Sequence, residues 1–271
     1  MRCEGSWVRP LHHIVQATLL VATTLLVAGP LAPHEAAAED DLETGGAAAS
    51  DPTASVNFMD FGFQYFDLPG GNLRRVYRAE GGLMLRPYFK LVPKVEYWDT
   101  NAAGRSESHM SLLSLKGIFL RPGPDVGPFK TRFAAGMEWI KDFGRFTDGT
   151  GTGTDQIAPL LGVAWVGPQT FIVTLVQYFN SYSTESTAPD VDLTGPRLIL
   201  IQKIPLIRGW LKLDNKFSID HEDNHHTTNL LETQLGTMLS PRIGLYAEFL
   251  LRTGGKEPYN WGAGAAVRVM F

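Results

Sequence analysis

The chain has 271 residues, a formal net charge of -4 and one cysteine, Cys3. Length admits one or two domains, and β-barrels of this size commonly form one. The mild acidity supplies no basic field for a phosphate backbone, which excludes nucleic acid as a partner. A lone thiol excludes a disulfide framework and a thiolate metal site.

Arg2 and Arg9 precede an apolar run over 14–29, followed by Ala36-Ala37-Ala38. A charged start, an apolar middle and a small-residue cleavage site predict a secretory signal peptide over 1–38. The run is short and broken by Gln16, Thr18, Thr23 and Thr24, which argues against a membrane anchor. Cys3 would leave with that leader, so the mature chain carries no thiol. Residues 39–54 are acidic, small and free of aromatics, the composition of a flexible periplasmic lead-in.

From 55 to 271 the chain divides into about twelve extended segments, and the pattern predicts one antiparallel transmembrane β-barrel. The first, 55–67, places Phe58, Asp60, Gly62 and Gln64 on one face and Met59, Phe61, Phe63 and Tyr65 on the other. In the second, 73–87, Arg74, Arg78, Glu80 and Arg86 oppose Tyr77, Ala79, Leu83 and Leu85. The third, 90–99, sets Lys94, Glu96 and Trp98 against Val95 and Tyr97, and the fourth, 107–121, sets Ser114 and Lys116 against Leu113, Leu115 and Phe119. The fifth, 128–146, alternates Lys130, Arg132, Glu138 and Asp142 with Phe129, Phe133, Met137, Trp139 and Phe143. Segments 154–167, 169–184 and 192–204 are nearly continuous apolar runs of ambiguous parity. The ninth, 208–221, carries Lys212, Asp214, Lys216 and Asp220 opposite Leu211, Leu213, Phe217 and Ile219. Segment 226–240 has Glu232 and Gln234 on its polar face, and 242–253 has Tyr246, Glu248 and Arg252. The last, 260–271, has Trp261, Ala263, Ala265, Val267, Val269 and Phe271 on one face and Gly262, Gly264, Ala266, Arg268 and Met270 on the other.

Connections after even segments are mostly short or Pro-rich, and those after odd segments are mostly longer and polar. Short periplasmic turns, longer outer loops and both termini on the periplasmic side suit a barrel of even strand count. No sustained 3.6-residue period follows the leader, so any membrane span is made of strands. A soluble sandwich also alternates. The leader, the absence of mature cysteines and the terminal aromatic favour the membrane barrel.

Twelve strands predict a narrow water passage. If the polar faces turn inward, basic and acidic residues nearly cancel, and strong selection between cations and anions is not expected. Phe58, Trp98 and Tyr246 would add ring faces among these groups, which favours small, polar, ring-bearing solutes. The candidate binding residues are Phe58, Asp60, Arg78, Glu80, Glu96, Trp98, Lys130, Arg132, Glu138, Asp142, Lys212, Asp214, Lys216, Tyr246, Glu248 and Arg252.

Several stretches resemble the nucleoside-specific channel-forming outer-membrane proteins, the Tsx-like family. They are Ser55-Val56-Asn57, Gly127-Pro128-Phe129-Lys130 with Asp142-Phe143-Gly144-Arg145 and Asp148-Gly149, Ile204-Pro205-Leu206 with Gly209-Trp210, and Trp261-Gly262 with Gly264. The resemblance implies a 12-stranded barrel for passive uptake of nucleosides, with lumenal aromatics paired to ionisable residues. In some members it also implies a receptor for phage or colicin. A final strand that carries Trp261 and stops on Phe271 looks like a substrate of the barrel assembly machinery, so outer-membrane lipid and that machinery are the expected partners beside the solute.

Three other features carry less chemistry. Asp220 to His226 gathers acids and histidines, but in an outer loop such a run is ordinarily just solvated. His109 and Ser111 resemble the His and Ser pair of outer-membrane phospholipases, yet S-H-M-S-L lacks that signature and no third group orients the pair. The G-T-G-T-G-T loop lacks the Lys-Ser/Thr of a phosphate cradle. Neither an enzyme nor a cofactor is expected. The alternatives to a polar-solute channel are a porin for hydrophobic or aromatic compounds and a non-conducting receptor or structural barrel.

Overall fold

A computed structural model describes residues 45–223, 226–255 and 259–271. The expected signal peptide lies outside the described residues. After a short helix α1 (Gly45–Ser50) come β1 (Phe58–Leu68), β2 (Asn72–Arg86), β3 (Phe89–Thr100), β4 (Glu107–Pro122), β5 (Lys130–Asp142) and β6 (Thr154–Val166). They are followed by β7 (Thr170–Thr184), β8 (Asp192–Ile204), β9 (Gly209–Asp220), β10 (His226–Met238), β11 (Ile243–Gly254) and β12 (Trp261–Met270). Each strand pairs antiparallel with its neighbours in sequence, and β12 returns to β1, closing the barrel. Closure satisfies every strand edge, which lets a sheet cross lipid without orphaned backbone groups.

The closing register runs from Phe58↔Met270 to Asp67↔Trp261. It puts Asp60 beside Arg268 and sets the pleat so that even-numbered residues of β1 and β12 face inward. Cross-strand register carries this parity around the barrel. In β9 to β11, Lys212, Gln234 and Glu248 share an inward layer, while Leu211, Leu235 and Ala247 share an outward one. The outer surface is an exposed apolar belt that includes Leu115, Phe133, Met137, Leu161, Leu198, Leu235, Phe249 and Val267. Aromatic residues gather toward its rims: Phe249 stacks on Trp261 at 6.3 Å and Tyr65 tilts against it at 5.6 Å, while Phe89 meets Phe119 at 4.8 Å. An apolar band with aromatic rims is the surface a bilayer requires.

Both ends of the sheet, Phe58 and Met270, lie at one end of the barrel, here called proximal. The hairpins β2–β3, β4–β5, β6–β7, β8–β9 and β10–β11 turn there, and the other six connections lie at the distal end. The longest distal connection, 143–153, is tied to a bulge in β4. Ser111 is the extra residue between Met110 and Leu112; its carbonyl accepts from Phe143 N at 2.9 Å, and its Oγ donates to the Thr150 carbonyl. A bulge re-aims a strand locally, and here it holds down a loop.

The segment expected as a flexible lead-in is not free at its C-terminal part. Residues 45–50 are all buried, as are Asp51, Thr53 and Ala54. They sit inside the proximal lumen. Helix α1 packs against β8, β9 and β10. Its continuation reaches Lys90 on β3, whose Nζ donates to the Ala54 carbonyl at 3.0 Å, and Arg132 on β5, whose Nη1 donates to the Thr53 carbonyl at 3.4 Å. Strand β9 stands opposite β3 in the closed order, so the segment crosses the lumen. The narrow open passage expected from strand number is therefore occupied by the chain itself at this end. An apolar inner wall supplied the reason: Ala164, Phe171, Val173, Ile199 and Ile201 are buried together with Ala47, and water leaves such a surface readily.

Candidate functional site

The inner wall divides into three tiers. At the proximal tier, Arg268 is 3 % exposed and serves two structures at once. Its Nε and Nη2 donate to the two Asp60 oxygens at 2.8 and 2.7 Å, and its Nη1 donates to the Gly46 carbonyl at 2.7 Å and to Ser50 Oγ at 2.8 Å. Ser50 Oγ in turn donates to Gln234 Oε1 at 3.0 Å, which also accepts from Trp210 Nε1 at 3.0 Å. Phe58 lies beneath two cations, Lys90 and Arg268, at 5.4 and 5.0 Å from its ring centre.

The middle tier is a belt of ion pairs. Tyr246 Oη donates to Asp60 at 3.0 Å and accepts from Arg78 Nη2 at 3.2 Å, while Arg78 also donates to Glu248 at 2.8 Å. Glu248 receives Gln64 Nε2 at 2.8 Å on its other oxygen. Across the belt, Arg197 grips both oxygens of Asp214, with Nε at 2.6 Å. Lys212 bridges Asp214 at 3.1 Å and Glu232 at 3.0 Å, and Lys216 donates to Glu232 at 2.6 Å. Glu138 accepts from Lys116 at 2.8 Å, from Gln177 at 2.7 Å and from Ser114. Lys94 pairs with Glu96 at 2.7 Å. Removed from bulk water, each carboxylate is stable here only because cations and amides saturate it.

The distal tier is aromatic. Phe66, Leu68, Val76, Trp98, Leu230, Leu250 and Tyr259 form one buried cluster. The Arg74 guanidinium lies 4.2 Å from the Trp98 ring centre and 5.2 Å from that of Phe66, and Trp98 Nε1 donates to Glu96 at 2.8 Å. The Nε atoms of Arg74 and Arg78, four residues apart on β2, are both buried without an acceptor. Arg74 Nε belongs to the guanidinium that lies against the Trp98 ring, whereas Arg78 stands opposite Glu96 in register with its Nε close over Gly62 of β1.

Of the sequence candidates, Phe58, Asp60, Arg78, Glu96, Trp98, Glu138, Lys212, Asp214, Lys216, Tyr246 and Glu248 are brought into these tiers. Glu80 also faces inward, opposite Asp60 and Lys94 in register. Arg252 faces inward toward the distal end, level with Leu230. Arg132 reaches the crossing segment, with Nη1 4.0 Å from Asp51 Oδ2. Lys130 is exposed at the proximal rim. Asp142 departs from the lumenal role expected of it: it accepts from Gly144 N at 2.7 Å, Gly153 N at 2.8 Å and Thr152 Oγ1 at 2.6 Å, so it organises the 143–153 loop. A carboxylate saturated by loop amides has little capacity left for a solute.

Sequence reasoning missed Arg197, Gln177 and Lys90. The first two stand alone in apolar runs, where a single polar residue is the only sign of an inner face. Lys90 shares the parity of Lys94 and Glu96, and extending that face by two pairs would have found it. In the histidine-rich loop, Asn224 and His225 lie outside the described residues; His221 Nε2 meets Thr194 Oγ1 at 2.8 Å. Among the described residues, no group of three or more His, Cys, Asp or Glu is placed to hold a metal.

No family model and no curated sequence matches the chain. Solved structures do. The chain is similar in fold to the KdgM porin, with a TM-score of 0.54 and 7% identity, over 79% of this chain and 99% of that one. It is similarly close to the NanC porin, with a TM-score of 0.53 and 10% identity, again over 79% and 99%. At such identity the likeness is one of architecture: this chain, a closed barrel of twelve strands, shares the fold of these porins.

Proposed function

We propose that the chain is an outer-membrane channel for passive uptake of small, polar, ring-bearing solutes, with nucleosides as the substrate class. The observation that carries this reading is the junction of the middle and distal tiers. There, the Arg74 guanidinium with its unused Nε donor, the Trp98 ring and the Glu96 carboxylate bonded to Trp98 Nε1 lie together on the inner wall. A flat heterocycle offers a ring face to the aromatic cluster, and its sugar hydroxyls offer acceptors and donors to the guanidinium and carboxylate groups. The porin fold supports the transport class, and the sequence resemblance supports the nucleoside.

A second reading is a non-conducting receptor or structural barrel. It is favoured by the crossing segment 45–54 and by the extensive internal pairing of the belt. Single-channel recording of the protein in a planar bilayer separates the two, with adenosine, thymidine and a neutral sugar added in turn. The channel reading expects small conductance steps that nucleosides block and the sugar does not. Steps without nucleoside block would replace the substrate class, and silence under all conditions would favour the second reading.

A further inference from the structure

We propose that residues 45–54 are a displaceable gate across the proximal lumen, held shut by Arg268. The proposal rests on the channel reading for its purpose and on separate observations for its mechanics. The gate makes no strand pairing with the barrel. Wall cations hold it by its own carbonyls: Arg268 on Gly46, Arg132 on Thr53 and Lys90 on Ala54. Such contacts can exchange for water one by one, whereas a ladder of strand pairs could not.

Arg268 suits the role of latch because its charge is balanced with or without the gate. Its Nε and Nη2 stay on Asp60, and only the Nη1 bonds to Gly46 and Ser50 are lost on opening. Withdrawal therefore leaves the Arg268 charge paired, and an unpaired buried charge is the usual reason that such a contact is hard to break. The gate joins β1 through residues 55–57, so it can swing without disturbing the register of the barrel.

The closed position is specific. At Gly46 a methyl group would stand 2.1 Å from Trp210 Cζ3 and 2.8 Å from Met238 Sδ. Only glycine lets α1 approach the β9–β10 wall this closely. The gate also explains why the inner faces of β7 and β8 are apolar at the proximal end of a barrel otherwise lined with charge: Phe171, Val173, Ile199 and Ile201 are buried in one cluster with Ala47.

The test uses the chain with Cys3, its only cysteine, replaced by Ser. A Ser50→Cys/Gln234→Cys pair, joined by a short reducible thiol crosslinker, locks the gate to β10. Conductance in a planar bilayer is expected to vanish on crosslinking and return on reduction. Gly46→Ala is expected to unseat the gate and raise the open fraction by roughly tenfold, the size of a typical overpacking penalty. A readout independent of conduction is the rate at which a water-soluble thiol reagent modifies Gln234→Cys, buried beneath the gate. Gly46→Ala should speed it by a similar factor. Equal conductance in the crosslinked and reduced pair would overturn the gate while leaving a channel. Silence throughout, with faster modification in Gly46→Ala, would leave a movable segment and overturn the channel. Unchanged modification together with an inert crosslink would overturn the gate outright.

Discussion

The network around Asp214 gives the most direct test of how the belt is held. Asp214 is fully buried, and two cations, Arg197 and Lys212, share its carboxylate. Asp214→Asn keeps the shape and removes the charge. Arg197 then loses a bidentate partner, and the new amide turns hydrogens toward a guanidinium that has only hydrogens to offer. Breaking one side of a buried ion pair costs about 3–5 kcal/mol. Lys212 retains Glu232 at 3.0 Å, which places the expected loss near the lower figure, about 3 kcal/mol, or roughly a hundredfold in the unfolding constant. The control is Glu107→Gln, which breaks a rim pair whose Arg105 partner is 69% exposed; that change should cost less than about 1 kcal/mol. Urea unfolding of both variants in detergent or lipid, followed by tryptophan fluorescence and by heat-dependent gel mobility, supplies the comparison. If Asp214→Asn loses no more stability than Glu107→Gln, the belt is not held by this pairing and the reasoning fails.

The gate carries a pH dependence. Burial pushes the Asp51 carboxyl above the ordinary aspartate range, against hydrogen bonds from Thr53 and the charges of Lys90 and Arg132. Its contribution to closure is fully present below the ordinary aspartate value and is lost as pH rises through the raised one. The open fraction should thus climb with pH over that window, and Asp51→Asn should flatten the profile; an unchanged slope in recordings of the variant would dismiss Asp51 as its source. In the β8–β9 turn, Arg208 has φ 47° and ψ 39°, a left-handed backbone that costs an L residue about 1–2 kcal/mol. Arg208→Gly should raise stability by about 1 kcal/mol in the same urea assay, and a destabilised variant would show that the Arg208 side chain matters more than its backbone. Removing Phe271, whose side chain is exposed and whose N–H donates to the Asn57 carbonyl at 3.3 Å, should lower the yield of membrane-inserted protein. Wild-type insertion of the truncated chain in cells would argue that the terminal aromatic is not read during assembly.

Much of the fold is legible in the sequence, because a bilayer outside and polar groups inside impose opposite chemistry on alternate residues. Lys212, Asp214 and Lys216 against Leu211, Leu213 and Phe217 fix the inward face of β9 without any tertiary knowledge. Strand ends follow from the turns, and the main excess falls at 143–146, beyond Asp142, the last residue of β5, whose side chain binds the loop amides. That loop also accounts for the regular look of the Asp142-Phe143-Gly144-Arg145 motif: close approach between Gly144 and the Thr150 carbonyl leaves no room for a methyl group. Pairing partners are much less legible. Nothing in the order of residues says that Arg197 chooses Asp214 or that Arg78 reaches Glu248 and Tyr246, since these meetings depend on strand stagger and barrel curvature.

The ambiguity over 154–204 has a physical cause. Alternation marks a strand only when its two faces meet different surroundings. The outer faces of β6, β7 and β8 meet lipid, while the proximal parts of their inner faces, from Ala164 to Ile201, form one buried apolar cluster with Ala47 of α1. Both sides are therefore apolar, and the period of two disappears. The same absence of contrast in a lumen otherwise rich in charge implies that something apolar must cover that wall, because exposed apolar surface inside a water-filled barrel would be unfavourable by roughly 25 cal/mol for each Å². The small residues Gly45 to Ala49 supply such a cover with little bulk, and their composition, which resembles a linker in isolation, is what the narrow space beside Trp210 requires. A segment chosen for small size rather than for affinity fits a part that closes the lumen and can leave it again.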